Sequence, residues 1–224
     1  MFKDAGQLAY LIDHTLVRPD ATLADLAMVC EEAKRYGFAC VVVNSCNVAR
    51  ARDLLSGSLV KVCCVVGFPH GASTTTVKIV EAMEAVKNGA VELDIVMNIG
   101  LVKSGRFDAA EVDIKNVIAM TPQKVHKVII ETGSLIPEEI MRVCHIAARS
   151  NAEFIKTCTG YGPRGASVDD IKLIHQTIGP LCRIKAAGGI KDLASATAMI
   201  EAGAERIGTS SGVAIMEEFL KKTG

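Results

Sequence analysis

The sequence lacks an excess of charge of either sign: 25 lysines and arginines stand against 25 aspartates and glutamates. That balance argues against a nucleic acid or an anionic membrane surface as the main partner, while leaving room for a local basic pocket. Long hydrophobic runs are missing too. "VCCVVGF" at 62–68 is among the longest and falls far short of the ~20 residues that a membrane helix needs. The opening "MFKDAGQLAY" mixes charges into its first turn and has no apolar stretch, so no signal peptide is expected. There are eight cysteines but no C-x-x-C pair, and the five histidines are scattered rather than set at zinc-finger spacing. Cys40, Cys63, Cys64, Cys144, Cys158 and Cys182 lie inside strand-like or helix-like runs. They read as reduced, buried thiols of a cytoplasmic protein, not as a disulfide framework. No linker rich in Pro, Gly or Ser divides the chain, so residues 1–224 are read as one domain.

What is present is a series of short β-rich runs: "CVVVN" (40–44), "KVCCVVGFP" (61–69), "ELDIVMN" (92–98), "HKVIIET" (126–132), "EFIKTCT" (153–159), "CRIKAAG" (182–188) and "ERIGTSS" (205–211). "AYLIDHT" (9–15) supplies an eighth. Several are almost continuously apolar, as parallel strands covered on both faces should be. Helical patterns lie between them. Thr22 and Asp25 form a capping-box pair, Pro137 falls at a first helical position, and Ser167 and Asp170 make another cap. "NGAVELD" (88–94), "SNAEFIK" (150–156) and "AGAERIG" (202–208) each set Gly or Asn where a helix must end in a left-handed residue before the next strand. Eight such units predict a (β/α)8 TIM barrel in a single α/β domain, with a doubly wound open sheet as the alternative.

In such a barrel the active site lies at the C-terminal ends of the strands. Those ends carry Asp13, Asn44, Asp94, Asn98, Lys127, Lys156, Thr159, Lys185, Ser210 and Ser211. Lys156 follows "EFI" and Lys185 follows "CRI", each late in an apolar run with no acidic residue next to it. Strand side chains alternate faces, so the two amines meet near the mouth if their faces point inward. A free lysine has a pKa near ~10.4 and offers only about one neutral amine in a few thousand at neutral pH. A second cation about 4 Å away, at an effective dielectric of ~20, penalises the ammonium by about 4 kcal/mol, and desolvation acts in the same direction. The product is an amine able to attack a carbonyl and form a Schiff base. Asp94, on the face it shares with Val96 and Asn98, is the candidate proton shuttle.

Two glycine-rich segments, "AAGGI" (186–190) and "GTSSG" (208–212), follow strands and lead into helices, in the slots after strands 7 and 8 where barrels commonly hold phosphate. Gly160, Gly162 and Gly165 match G-x-G-x-x-G. Pro163 interrupts the motif, however, and Arg183 and Lys185 stand where a dinucleotide site needs an acid, so no nucleotide cofactor is expected.

With these residues in place the sequence resembles the deoxyribose-phosphate aldolases, the class I aldolases of bacterial and archaeal type. The likeness runs nearly end to end through "IDHTL", "VVGFPHGAST", "ELDIVMNIG", "KVIIETG", "FIKTCTGYGPRGA", "IKAAGGI" and "RIGTSSG". The resemblance implies Lys156 as the Schiff-base lysine, Lys185 as the second lysine that lowers its pKa, and Asp94 as the general acid/base. It implies Gly188, Gly189, Ser210 and Ser211 as the phosphate cradle, with Thr159 and Gly160 also binding substrate and Asp13 and Lys127 in support. The implied reaction is reversible cleavage of 2-deoxy-D-ribose 5-phosphate into acetaldehyde and D-glyceraldehyde 3-phosphate, without metal or cofactor, in a homodimer or larger homo-oligomer. Three departures stand out. Ser45 replaces an expected proline and Cys158 an expected serine, and "EEFLKKTG" lacks the tyrosine-bearing tail of some members. Two readings compete: a transaldolase-like Schiff-base lyase, and a non-catalytic phosphosugar sensor on the same barrel.

Overall fold

The computed structural model describes residues 4–223. Its strands are β1 (Ile12–Leu16), β2 (Cys40–Val43), β3 (Lys61–Val66), β4 (Glu92–Val96), β5 (Val125–Ile129), β6 (Phe154–Lys156), β7 (Arg183–Ala187) and β8 (Arg206–Thr209). Each is parallel to the next, and β8 pairs with β1, so the sheet closes into a (β/α)8 barrel.

Local chemistry explains the boundaries. Thr22 and Asp25 cap helix Leu23–Tyr36 reciprocally, Ser167 and Asp170 do the same for Val168–Ile178, and Pro137 opens Pro137–Arg149. The three repeated helix-to-strand turns all use left-handed residues: Gly89 at φ 116°, Asn151 at 63° and Gly203 at 117°. The first strand starts later than 9–15 because Asp4 caps a short helix, Ala5–Ala9, through Gln7 N–H at 2.8 Å. Asn98 likewise serves as a cap, accepting from Leu101 N–H at 3.1 Å.

Strand alternation sorts the side chains into two environments. Val41, Val43, Cys64, Val66, Leu93, Ile95, Val128, Ile155, Ile184 and Ile207 are buried against the helices and form the main core. The alternate residues point into the lumen, where β2 and β3 contribute a second, small cluster of Cys40, Val42, Cys63 and Val65. No helix among the described residues is long and apolar enough to cross a membrane.

Candidate active site

The rest of the lumen carries a network of buried charges. Glu92 and Asp94 enter from β4, Lys127 from β5, Lys156 from β6, Lys185 from β7, Arg206 from β8 and Asp13 from β1, and all seven are buried. Lys156 Nζ and Lys185 Nζ each donate to the same Asp94 Oδ2 at 2.8 Å, which caps the separation of the two nitrogens at twice that length. Lys127 Nζ donates to Asp94 Oδ1 at 2.9 Å and meets Glu92 at 2.7 Å. Lys185 also reaches Asp13 Oδ2 at 2.5 Å, and Arg206 holds the other Asp13 oxygen at 2.7 Å. Asp13, Glu92 and the Cys40 thiol lie within 4.8 Å of one another, a possible ligand set for a cation. Both of those carboxylates are already bonded to lysine or arginine.

Register explains the meeting. Lys156 pairs with Lys185 across β6 and β7, and Asp94 with Lys127 across β4 and β5. Glycine at 208 keeps the space open, since a Cβ there would lie 2.9 Å from Lys185 Cε.

Four cations thus share three carboxylates, and Lys156 is the most weakly held, bonded to Asp94 alone. Burial pulls the Lys156 pKa below its ordinary value, and Lys185 adds to this against the opposing pull of Asp94. The sequence reading put the second cation first and saw no acidic partner beside Lys156. Burial is in fact the larger cause, and an acid is present, supplied by β4 from 62 positions away. Lys185 differs: burial also pulls it down, but Asp13 and Asp94 outweigh that and raise it, so it stays an ammonium. Asp94 is held well below the carboxylate range, because Lys127, Lys156 and Lys185 overcome the effect of burial. Losing the Lys156 proton leaves three buried cations on the three carboxylates, with the exposed Lys61 also lying 3.6 Å from Glu92.

Lys156 opens into a cavity of about 460 Å³ at the C-terminal ends of β1, β6, β7 and β8, also lined by Thr159, Gly160, Gly188, Gly189 and Ser210. Gly188 (φ 95°) and Gly189 (φ 79°) are consecutive left-handed residues, and Gly188 C=O accepts from Ala166 N–H at 3.1 Å. Gly165 packs against that same carbonyl, where a Cβ would come within 2.4 Å, so this glycine of the false dinucleotide motif braces the phosphate-type loop. Cys158, beyond the end of β6, is buried under Gly188 and meets Thr132 at 3.2 Å.

Four sequence candidates are placed differently from the rest. Ser211 is not among the lining residues; its N–H donates to Thr209 Oγ1 at 2.8 Å as helix Gly212–Thr223 begins. Thr159 lines the cavity, but its hydroxyl donates to Glu131 and accepts from Tyr161 N–H. Lys127 and Asp13 lie in the lumen, bonded to the Asp94 group, rather than on the cavity wall. The sequence reading missed Glu92 and Arg206, although Glu92 stands two positions before Asp94 on the same strand face and Arg206 two positions before Gly208, which opens the second glycine-rich segment. It also missed Arg18, Tyr161 and Lys191, loop residues at the cavity that no strand period marks.

Fold and site together define an aldolase-type barrel. The chain belongs to the DeoC/LacD family of aldolases, whose family model matches residues 7–218. It is 49% identical over 218 residues to a deoxyribose-phosphate aldolase of Caldanaerobacter subterraneus subsp. tengcongensis, covering 96% of this chain and 94% of that one. Among solved structures, QR15, an aldolase, superposes with a TM-score of 0.93 at 42% identity, over 99% of this chain and 98% of its own. The deoxyribose phosphate aldolase of Aeropyrum pernix, described as a tetramer, gives 0.92 at 31% identity over 99% of this chain and 94% of that chain.

Proposed function

We propose that this protein reversibly cleaves 2-deoxy-D-ribose 5-phosphate into acetaldehyde and D-glyceraldehyde 3-phosphate through a Schiff base on Lys156. The observation that carries the reading is a buried lysine of lowered pKa, hydrogen-bonded to Asp94 beside a second lysine and opening into a glycine-walled cavity. Neutral Lys156 Nζ attacks the C1 aldehyde of the open-chain sugar, and loss of water gives the protonated imine. A base takes the proton of the C3 hydroxyl, the C2–C3 bond breaks, and its electron pair moves into the imine to form an enamine. D-glyceraldehyde 3-phosphate departs, C2 of the enamine is protonated, and water hydrolyses the imine to acetaldehyde and the free lysine. Asp94, with Lys185 on the same oxygen, is the group assigned to move these protons, directly or through one water. Gly188, Gly189 and Ser210 hold the phosphate, aided by the start of helix Gly212–Thr223.

Incubation with acetaldehyde and borohydride followed by mass mapping tests this: a reduced ethyl adduct on Lys156 is expected. Absence of any adduct favours a phosphosugar sensor, and trapping with a ketose donor but not with acetaldehyde favours a transaldolase-like lyase. We read the chain as one cytoplasmic domain over residues 1–224 that forms a homodimer or larger homo-oligomer. Val77, Val80 and Met83, exposed on helix Thr75–Asn88, give that assembly an apolar surface.

A further inference from the structure

Glu131 follows β5 and breaks three rules of ordinary folding at once. It is a non-glycine residue in the left-handed region, at φ 52° and ψ 62°. It is only 6% exposed, and its Oε1 is buried without a hydrogen-bond partner. A buried carboxylate oxygen left unpaired costs stability, as does a left-handed glutamate, so neither feature serves the fold.

Its surroundings supply a purpose. Glu131 Oε2 accepts from both the backbone N–H (3.1 Å) and the hydroxyl of Thr159. The Thr159 hydroxyl in turn accepts from Tyr161 N–H at 3.1 Å, and the Tyr161 phenol donates across the mouth to Val17 C=O at 3.3 Å. Gly162 rests on the unpaired oxygen so closely that a Cβ would come within 2.6 Å of it. Thr159 and Tyr161 line the 460 Å³ cavity on one side. On the other they line a second cavity of about 140 Å³, together with Glu131, His70 and Ser134. The segment 159–162 is therefore a partition between two chambers, and the Glu131 carboxylate is what fixes it from behind.

We propose that Glu131 is a positioning residue for the substrate: it sets the Thr159–Gly162 wall of the cavity, and so the fit of the phosphorylated chain, without touching the reacting atoms. The proposal rests on the reaction assigned above. It predicts a separation of KM from chemistry, because Lys156, Asp94 and Lys185 make no contact with Glu131 in the hydrogen-bond and ion-pair network around them.

The test compares Glu131→Ala and Glu131→Gln with the unaltered protein, reading KM and kcat for 2-deoxy-D-ribose 5-phosphate and the rate of borohydride trapping of acetaldehyde. Glu131→Ala is expected to raise KM about tenfold while kcat and trapping stay within about threefold. Glu131→Gln keeps a carbonyl oxygen to accept from Thr159 and is expected to hold KM within about threefold. Should Glu131→Ala not fold, Thr159→Val removes the hydroxyl from the same contact and carries the same expected KM rise, with Thr159→Ser restoring it. An unchanged KM in the folded variant, or a loss of trapping equal to the loss of kcat/KM, overturns the positioning role. Absence of both cleavage and trapping in the unaltered protein overturns the reaction assignment, and the positioning role with it. A normal unaltered protein with unshifted variants overturns the positioning role alone.

Discussion

The two halves of the barrel lumen have opposite characters. On β2 and β3 the inward residues are Cys40, Val42, Cys63 and Val65, with Val17 and Phe68 packed beside them. On β4 to β8 and β1 they include Glu92, Asp94, Lys127, Lys156, Lys185, Arg206 and Asp13, set among the buried apolar Val96, Ile129, Phe154 and Ala187. Burial drives the Cys40 and Cys63 thiols well above their ordinary pKa, and the neighbouring Asp13 and Asp94 carboxylates push the same way, so both remain neutral. One half is therefore mainly apolar inside, and the other holds four buried cations on three buried carboxylates. Burial and the surplus of buried cations act together on Lys156, the lumen lysine with the fewest acidic contacts. An amine flanked by a carboxylate at 2.8 Å would otherwise be expected to hold its proton more tightly.

The sharpest way to break that contrast is to remove the surplus cation. Lys156→Met is expected to cut turnover by at least ~10⁴-fold and to abolish borohydride trapping, because the nucleophile itself is gone. The variant should fold, since it leaves three cations on three carboxylates and puts an apolar chain of similar length in the same place. A folded Lys156→Met that still traps acetaldehyde would place the chemistry elsewhere.

Asp94→Asn attacks the other half of the balance. It removes the shared negative charge, and one of the two acceptor oxygens, from three lysines, and breaking a buried ionic group in this way costs about 3–5 kcal/mol. Its pH signature has a definite sign. Asp94 has a depressed pKa when folded, so its stabilisation is present above the ordinary carboxylate pKa and is lost as pH falls through the lower folded value. Acid denaturation followed by circular dichroism should show the unaltered protein losing stability over that acid range, and Asp94→Asn losing less there from a lower start. Equal slopes would mean that Asp94 is not the carboxylate that titrates.

Lys185→Leu tests the second cause acting on Lys156. Removing that cation raises the Lys156 pKa, so less of the neutral amine exists at a given pH. The acidic limb of the kcat/KM profile should move to higher pH, and neutral-pH turnover should fall by roughly 10²-fold or more. A profile with an unmoved acidic limb would leave burial as the sole cause.

Much of this contrast was legible in the sequence, for a physical reason. Strand alternation is local, so the inward face of each strand can be read from a few residues, and Lys156 and Lys185 share that face whatever the rest of the fold does. The barrel followed because each helix-to-strand turn carries its own left-handed residue, as Gly89, Asn151 and Gly203 do. What escaped was pairing at long range. The acid beside Lys156 comes from residue 94, and the role of the Thr159 hydroxyl depends on Glu131, 28 positions earlier. Glu131 itself carried no signal, since nothing in "KVIIETG" announces a left-handed glutamate. Ser211 looked equivalent to Ser210 because a sequence cannot show which of two adjacent serines turns into the helix.

The smallest expected effect falls on the inert half. Cys63 donates to Asp94 Oδ1 at 3.1 Å and accepts from Lys127 Nζ at 3.2 Å, so its thiol touches the lattice without belonging to it. A thiol is a weak donor and a weak acceptor, and Asp94 and Lys127 keep their stronger mutual contact without it. Cys63→Val fills nearly the same volume and keeps this side of the lumen dry, so stability should change by less than about 1.5 kcal/mol. Turnover should stay within about threefold and the acidic limb of the pH profile should not move, because neither the burial of Lys156 nor its distance from Lys185 changes. A shift as large as that of Lys185→Leu would mean that the thiol, through Asp94, is part of what sets the amine. The lumen would then have no inert half, and the proton balance at Lys156 would have to be drawn around Cys63 as well.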